Sequence, residues 1–123
     1  MKTKMRRILR DHPDLCGFGW RTSDMTRKYF HEERDWMLTD EALEQFRNAN
    51  AWIRLMSQIQ SINQKNSSYG LKHTVERYQK IYIANGILIA AALDAGYRYK
   101  LCSQDSPNCW FNMSQKSIKQ YDA

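Results

Sequence analysis

One stretch constrains this chain more than any other. Ile87-Leu88-Ile89-Ala90-Ala91-Ala92-Leu93 follows Asn85-Gly86 and is closed by Asp94-Ala95-Gly96. As a helix it is apolar on nearly every side, so other elements must surround it. It is too short to span a bilayer, which takes about 20 apolar residues. Asn85 is a candidate N-cap and Gly96 a candidate C-terminal glycine. Its three alanines let neighbouring helices come close. With 123 residues, 42% hydrophobic and 12% aromatic, the chain has enough apolar surface to close one core around this helix, but not two. That content also excludes a disordered chain.

The other elements are read from their periods. Met5, Ile8 and Leu9 predict a short helix ending before Pro13. Cys16 to Trp20 reads as a loop, and Asp24 to Met37 as a helix with Met25, Tyr29 and Trp36 near one face. Thr39-Asp40-Glu41 is a helix start. Leu43, Phe46, Trp52, Ile53, Met56 and Ile59 then predict one bent helix, or two, over about 39–61. Residues 62–68 read as a polar connector. Leu71, Val75 and Tyr78 mark a helix capped by Ser67 or Ser68. After Gly96 the period changes to two. Tyr97, Tyr99 and Leu101, then Cys109, Phe111 and Met113, flank a turn-rich segment and predict a β-hairpin. Ser114 caps a last short helix, and Asp122 and Ala123 are expected to fray.

The expectation is therefore a single, mainly α domain over 1–123. It has a basic N-terminal part (1–38), a helical spine (39–61), a helix-turn-helix-like pair with a small C-terminal hairpin (67–113), and a short helix and tail (114–123). Its core is drawn from Leu43, Phe46, Ile53, Met56, Leu71, Val75, Ile87, Leu88, Ala91 and Leu93.

Charge is unevenly spread. Of 19 Lys+Arg and 13 Asp+Glu, residues 1–38 hold nine and six, 39–66 hold three and three, and 67–123 hold seven and four. A neutral middle separates two basic ends, which suits an anionic partner. The basic N-terminus has no apolar segment behind it, so a cytoplasmic protein without membrane contact is expected. Cys16, Cys102 and Cys109 are an odd count at spacings that match no zinc knuckle. Reduced thiols are the simplest reading, and a local Cys102–Cys109 disulfide stays open. No cofactor or metal is expected.

Helices at 68–79 and 86–95 followed by a hairpin at 97–113 resemble, in order, the winged-helix DNA-binding domains. The resemblance implies contact to nucleic acid through Lys72, Arg77, Lys80, Arg98, Lys100, Lys116 and Lys119, with Lys4, Arg6, Arg7 and Arg10 as a basic N-terminal arm. The helix in the recognition position offers no Arg, Lys, Asn or Gln beyond Asn85, so contact to phosphate rather than to base edges is expected. Phe18 and Trp20 are read first as core plugs and, if exposed, as aromatic contacts, and Trp110 is a possible aromatic contact. The wealth of Trp, Tyr, Met and Arg also suits a protein interface.

Ser67-Ser68-Tyr69-Gly70-Leu71-Lys72-His73, Tyr82-Ile83-Ala84-Asn85-Gly86, Ala95-Gly96-Tyr97 and Asn112-Met113-Ser114 together resemble small proteins encoded on plasmids and prophages. That implies a mobile-element role, for which anti-defence inhibitors such as anti-CRISPR proteins and small regulators both stand. An enzyme is the weakest class. His31-Glu32-Glu33-Arg34-Asp35 lacks the second His of a zinc helix, His73 and Glu76 read as a surface pair, and no P-loop, G-x-S-x-G or dinucleotide fingerprint is present. The expected function is non-enzymatic binding of nucleic acid, mostly through phosphate. The alternative is a protein inhibitor of a host nucleic-acid-handling complex.

Overall fold

The computed structural model describes residues 1–122. Chain order is α1 (Lys2–Asp11), β1 (Leu15–Cys16), β2 (Gly19–Trp20), α2 (Arg27–Trp36), α3 (Asp40–Ile53), β3 (Gln58–Ser67), α4 (Ser68–Gln79), α5 (Asn85–Asp94), β4 (Tyr99–Leu101), β5 (Cys109–Met113) and α6 (Gln115–Gln120). The apolar stretch is α5, and it is the centre of the molecule. Ile87 to Ala92 are fully buried, and α1, α3, α4 and β2 all pack on it. Its C-terminus closes as a Schellman motif. Gly96 takes a positive φ of 89°, Tyr97 N–H reaches Ala92 O and Gly96 N–H reaches Leu93 O. Leu93, expected in the core, is only half-buried at this end.

The N-terminus of α5 differs from the expectation. The N-cap position is Ala84, and the Asn85 side chain does not cap the helix. It donates through Nδ2 to Phe18 O, Pro107 O and Asn108 Oδ1 at 3.1, 3.3 and 2.9 Å. Gly86 is required because a β-carbon there would lie 1.8 Å from Cys16 O. The turn between β1 and β2 thus lies directly on the helix end, and Gly86 N–H donates to Gly17 O.

The mainly α expectation is wrong: among the described residues the fold is mixed α/β, with six helices and two small antiparallel sheets. Cys16 to Trp20 is a two-stranded hairpin rather than a loop. The larger error lies at 58–67, read as the end of a helix and a polar connector. It is a ten-residue strand, and the C-terminal hairpin is part of a three-stranded sheet of order β3-β5-β4. The helical spacing of Met56 and Ile59 misleads because α3 ends at Ile53 and a turn re-aims the chain. Strand propensity in this Gln-, Asn- and Ser-rich segment is low, so pairing with β5 decides its conformation. The register slips twice, between Gln58, Asn63 and Ser67. Side-chain amides bridge the gaps, Asn63 Nδ2 donating to Met113 O and Asn112 Nδ2 to Ile59 O.

The helix-turn-helix reading also falls. α5 is enclosed, so it cannot enter a groove of DNA. The caps fare better: the Thr39, Ser67 and Ser114 hydroxyls accept from Ala42, Gly70 and Ser117 N–H. In α2 the buried residue is Phe30, while Met25 precedes the helix. Arg34, also on α2, ties α1 to the turn after it, donating to Leu9 O and Leu15 O at 2.9 and 2.8 Å and to His12 O and Pro13 O at 3.3 Å. All three cysteines are free. Burial pushes the Cys109 thiol up to about 12. Asp122, expected to fray, pairs with Arg77 at 2.9 Å; Ala123 lies outside the described residues. No helix among those residues is long and apolar enough to cross a membrane.

Candidate functional site

Two concave surfaces bring candidate residues together. The first is basic. The N-terminal arm is a docked helix, held by Met5, Ile8 and Leu9. Lys4 reaches the Asp94 carboxylate at 3.5 Å, where Arg54 also binds at 3.4 Å, so α1 lies beside the end of α5. At the other end of α1, His12 packs edge-on to Trp20 at 6.0 Å, and Trp20 stacks on Tyr99 at 4.5 Å. Trp20 is therefore a buried wedge between α1 and β4, not an exposed contact. The result is a shallow groove of about 670 Å³ lined by His12, Leu93, Gly96, Arg98, Tyr99 and Lys100, among others. Arg6 and Arg7 are exposed on α1, Arg10 pairs with Asp11 at 3.3 Å, and Arg98 donates to Gln60 O.

Of the other predicted cations, all but Lys72 line neither surface. Arg77 is taken by Asp122 and Thr74. Lys80 ends α4 in a left-handed conformation, φ 60°, and is exposed. Lys116 and Lys119 are exposed on α6, and Trp110 is half-buried in β5. Lys72 is the clearest departure, because only 5% of it is exposed. A lysine so placed needs a fixed partner.

That partner lies in the second surface, a cleft of about 640 Å³ between α2, α4, the β1–β2 turn and the loop before β5. Lys72 Nζ bonds Glu76 Oε2 at 2.8 Å and stands 4.6 Å from the Tyr82 ring centre and 5.5 Å from that of Tyr69. His73 Nδ1 meets Glu76 Oε1 at 2.9 Å, and Ile83 N–H donates to Oε2 at 3.1 Å. Burial alone pushes the Glu76 carboxyl up. The hydrogen bonds from Lys72, Ile83 and His73, with the Lys72 charge, outweigh it, and the group ends below the usual carboxylate range. The His73–Glu76 pair is thus a strut in the cleft wall rather than an isolated surface contact.

The opposite wall carries Glu33 and Trp36 of α2 beside Gly17, where a β-carbon would meet Glu33 Oε1 at 2.9 Å and Trp36 Cε3 at 3.0 Å. Burial, and then the Glu32 charge, raise the Glu33 carboxyl, and among the described residues no hydrogen bond or cation opposes them. Phe18, Tyr69 and Tyr82 line the same cleft and are 52%, 53% and 64% exposed, more than any other large hydrophobic side chain among the described residues.

No family model, curated protein or solved structure matches the chain. Of the expected site residues, only Phe18 and Lys72 line the cleft; Glu33, Trp36, Tyr69, His73, Tyr82 and Asn85 were not among them. One signal was available. Two of the four segments behind the expected resemblance, 67–73 and 82–86, supply Tyr69, Lys72, His73, Tyr82, Ala84 and Asn85 to this one cleft.

Proposed function

We propose that the protein binds nucleic acid without catalysing a reaction on it, chiefly through phosphate contacts along the groove between α1 and β4. The observation that carries this reading is a groove where two cations of the basic C-terminal part lie beside the end of the basic N-terminal helix. Arg98 and Lys100 line the groove, and the helix bearing Lys4, Arg6, Arg7 and Arg10 ends in it at His12. Phosphate contacts position a strand without reading its sequence, so affinity should depend steeply on salt and weakly on sequence. The resemblance to plasmid- and prophage-encoded proteins supports a mobile-element setting in the cytoplasm.

Fluorescence anisotropy with duplex and single-stranded DNA at several salt concentrations tests it. Wild type should show a linear fall of log affinity with log salt. Arg98→Glu with Lys100→Glu should flatten that slope by about 2, one for each lost contact. No binding at low salt, or an unchanged slope in the double variant, rules the groove out. The second reading, an inhibitor docking on a host nucleic-acid-handling complex, draws on the exposed Phe18, Tyr69 and Tyr82. Capture of such a complex that is lost in Tyr82→Ala and kept in the groove variant would favour it.

A further inference from the structure

We propose that the cleft between α2, α4 and the β1–β2 turn is a nucleobase site, taking an unpaired guanine against its aromatic rim with the base's N–H edge on Glu33. This inference rests on the nucleic-acid reading but uses a surface separate from the groove.

The size fits: about 640 Å³ is within the range of small-ligand sites, roughly 300–1,000 Å³. The rim asks for something flat. Exposing three aromatic rings around one opening costs free energy that a stacked planar partner recovers, and bases stack on such rings at about 1–3 kcal/mol each. The polar groups then narrow the choice. Glu33 offers two acceptor oxygens with no donor facing them among the described residues. On the other wall, the Lys72 ammonium has three donors, one of which is spent on Glu76. The ligand must therefore carry a donor edge and an acceptor edge on one rigid plane. Guanine does so: its N1–H and N2–H₂ match a carboxylate side by side, and its O6 and N7 accept. Adenine would turn the N1 lone pair toward the carboxylate, and cytosine or uracil presents fewer donors on that edge. An arginine side chain also offers two parallel donors, but it would bring a second cation beside Lys72 into a chain of net charge +6.

The site is also held in shape before any ligand arrives. Asn85 Nδ2 fixes the backbone at Phe18 and Pro107, and Glu76 fixes both Lys72 and His73. Ordering costs on binding are correspondingly small.

The test is calorimetric titration of the full chain with guanosine monophosphate, adenosine monophosphate and free arginine. In parallel, oligothymidylate with and without one central guanine is measured by anisotropy. A guanine preference of about tenfold or more is expected in at least one format, in line with one bidentate pair. Its appearance with the mononucleotide identifies a free-nucleotide site; its appearance only in the strand identifies a base presented by a polymer. Glu33→Gln should reduce the preference to below about twofold, because one acceptor becomes a donor. Tyr82→Ala, which also removes the ring over Lys72, should weaken all bases about tenfold with the fold retained by circular dichroism. Absence of a guanine preference in both formats, a preference that survives Glu33→Gln, or tighter binding of arginine overturns the proposal. If the strand still loses affinity steeply with salt in that case, the groove reading stands alone. If guanine is preferred while Arg98→Glu/Lys100→Glu leaves strand affinity unchanged, the groove reading fails and the cleft remains.

Discussion

The groove and the cleft are built on opposite plans. In the groove Arg98 and Lys100 stand on exposed positions, and on the adjoining α1 Lys4 and Arg10 are paired with acids. Such cations act at a distance and are screened within about 8 Å at physiological salt. In the cleft the ammonium is buried, its carboxylate partner is held by three donors, and an asparagine amide pins two loops. Attraction tolerates mobile charge, whereas selection of one shape requires fixed groups. The same chain thus separates the two tasks, and its mutations should separate likewise.

The largest contrast is in stability. Lys72→Ala leaves Glu76 without its cation in a partly buried wall and should cost about 3 kcal/mol by chemical denaturation. Lys100→Ala in the groove should cost less than about 0.5 kcal/mol. Equal costs would mean the cleft is no more fixed than the groove. Next is Gly86→Ala, whose new methyl must displace the backbone of the turn before Phe18; a loss of about 3 kcal/mol is expected, together with weaker binding in the cleft.

A smaller effect comes from acid. Glu76 titrates below its ordinary value of 4.5 in the folded chain, so its contribution is fully present above 4.5 and disappears as the pH falls through the lowered value. Glu33 is raised and works the other way, its burial favouring the fold once the carboxyl is protonated. Thermal melts of wild type and Glu76→Gln across this range should converge as the pH falls. Smallest of all, Glu33→Gln should stabilise the chain at neutral pH by about 0.5 kcal/mol while weakening the cleft, as expected of a group kept for binding. A destabilised Glu33→Gln would show that the carboxylate is structural.

The legible parts of the sequence were those set by local chemistry. Hydroxyl caps at Thr39, Ser67 and Ser114, the all-round apolar α5 with its Gly96 stop, and the period-two hairpin each carry their own signal within a few residues. What was not legible depended on partners far along the chain. β3 is a strand only because β5 pairs with it, and Lys72 is buried only because α4 packs beside the segment bearing Tyr82. The i,i+4 spacing of Lys72 and Glu76 was visible, but that spacing is equally common on a solvated helix face. Trp20 was equally ambiguous: its place between His12 and Tyr99 depends on two elements that the chain brings together only in three dimensions.

The strand order β3-β5-β4 has a kinetic consequence. β3 ends at Ser67, and the strand that completes it begins at Cys109, after two helices and β4. Until that late segment docks, ten residues of backbone in β3 have no ladder. Closing that loop costs entropy before the ladder repays it, and helices α3, α4 and α5 can gather first through nearer contacts. The three-stranded sheet should then form late, so substitutions in β5 should speed unfolding more than they slow refolding.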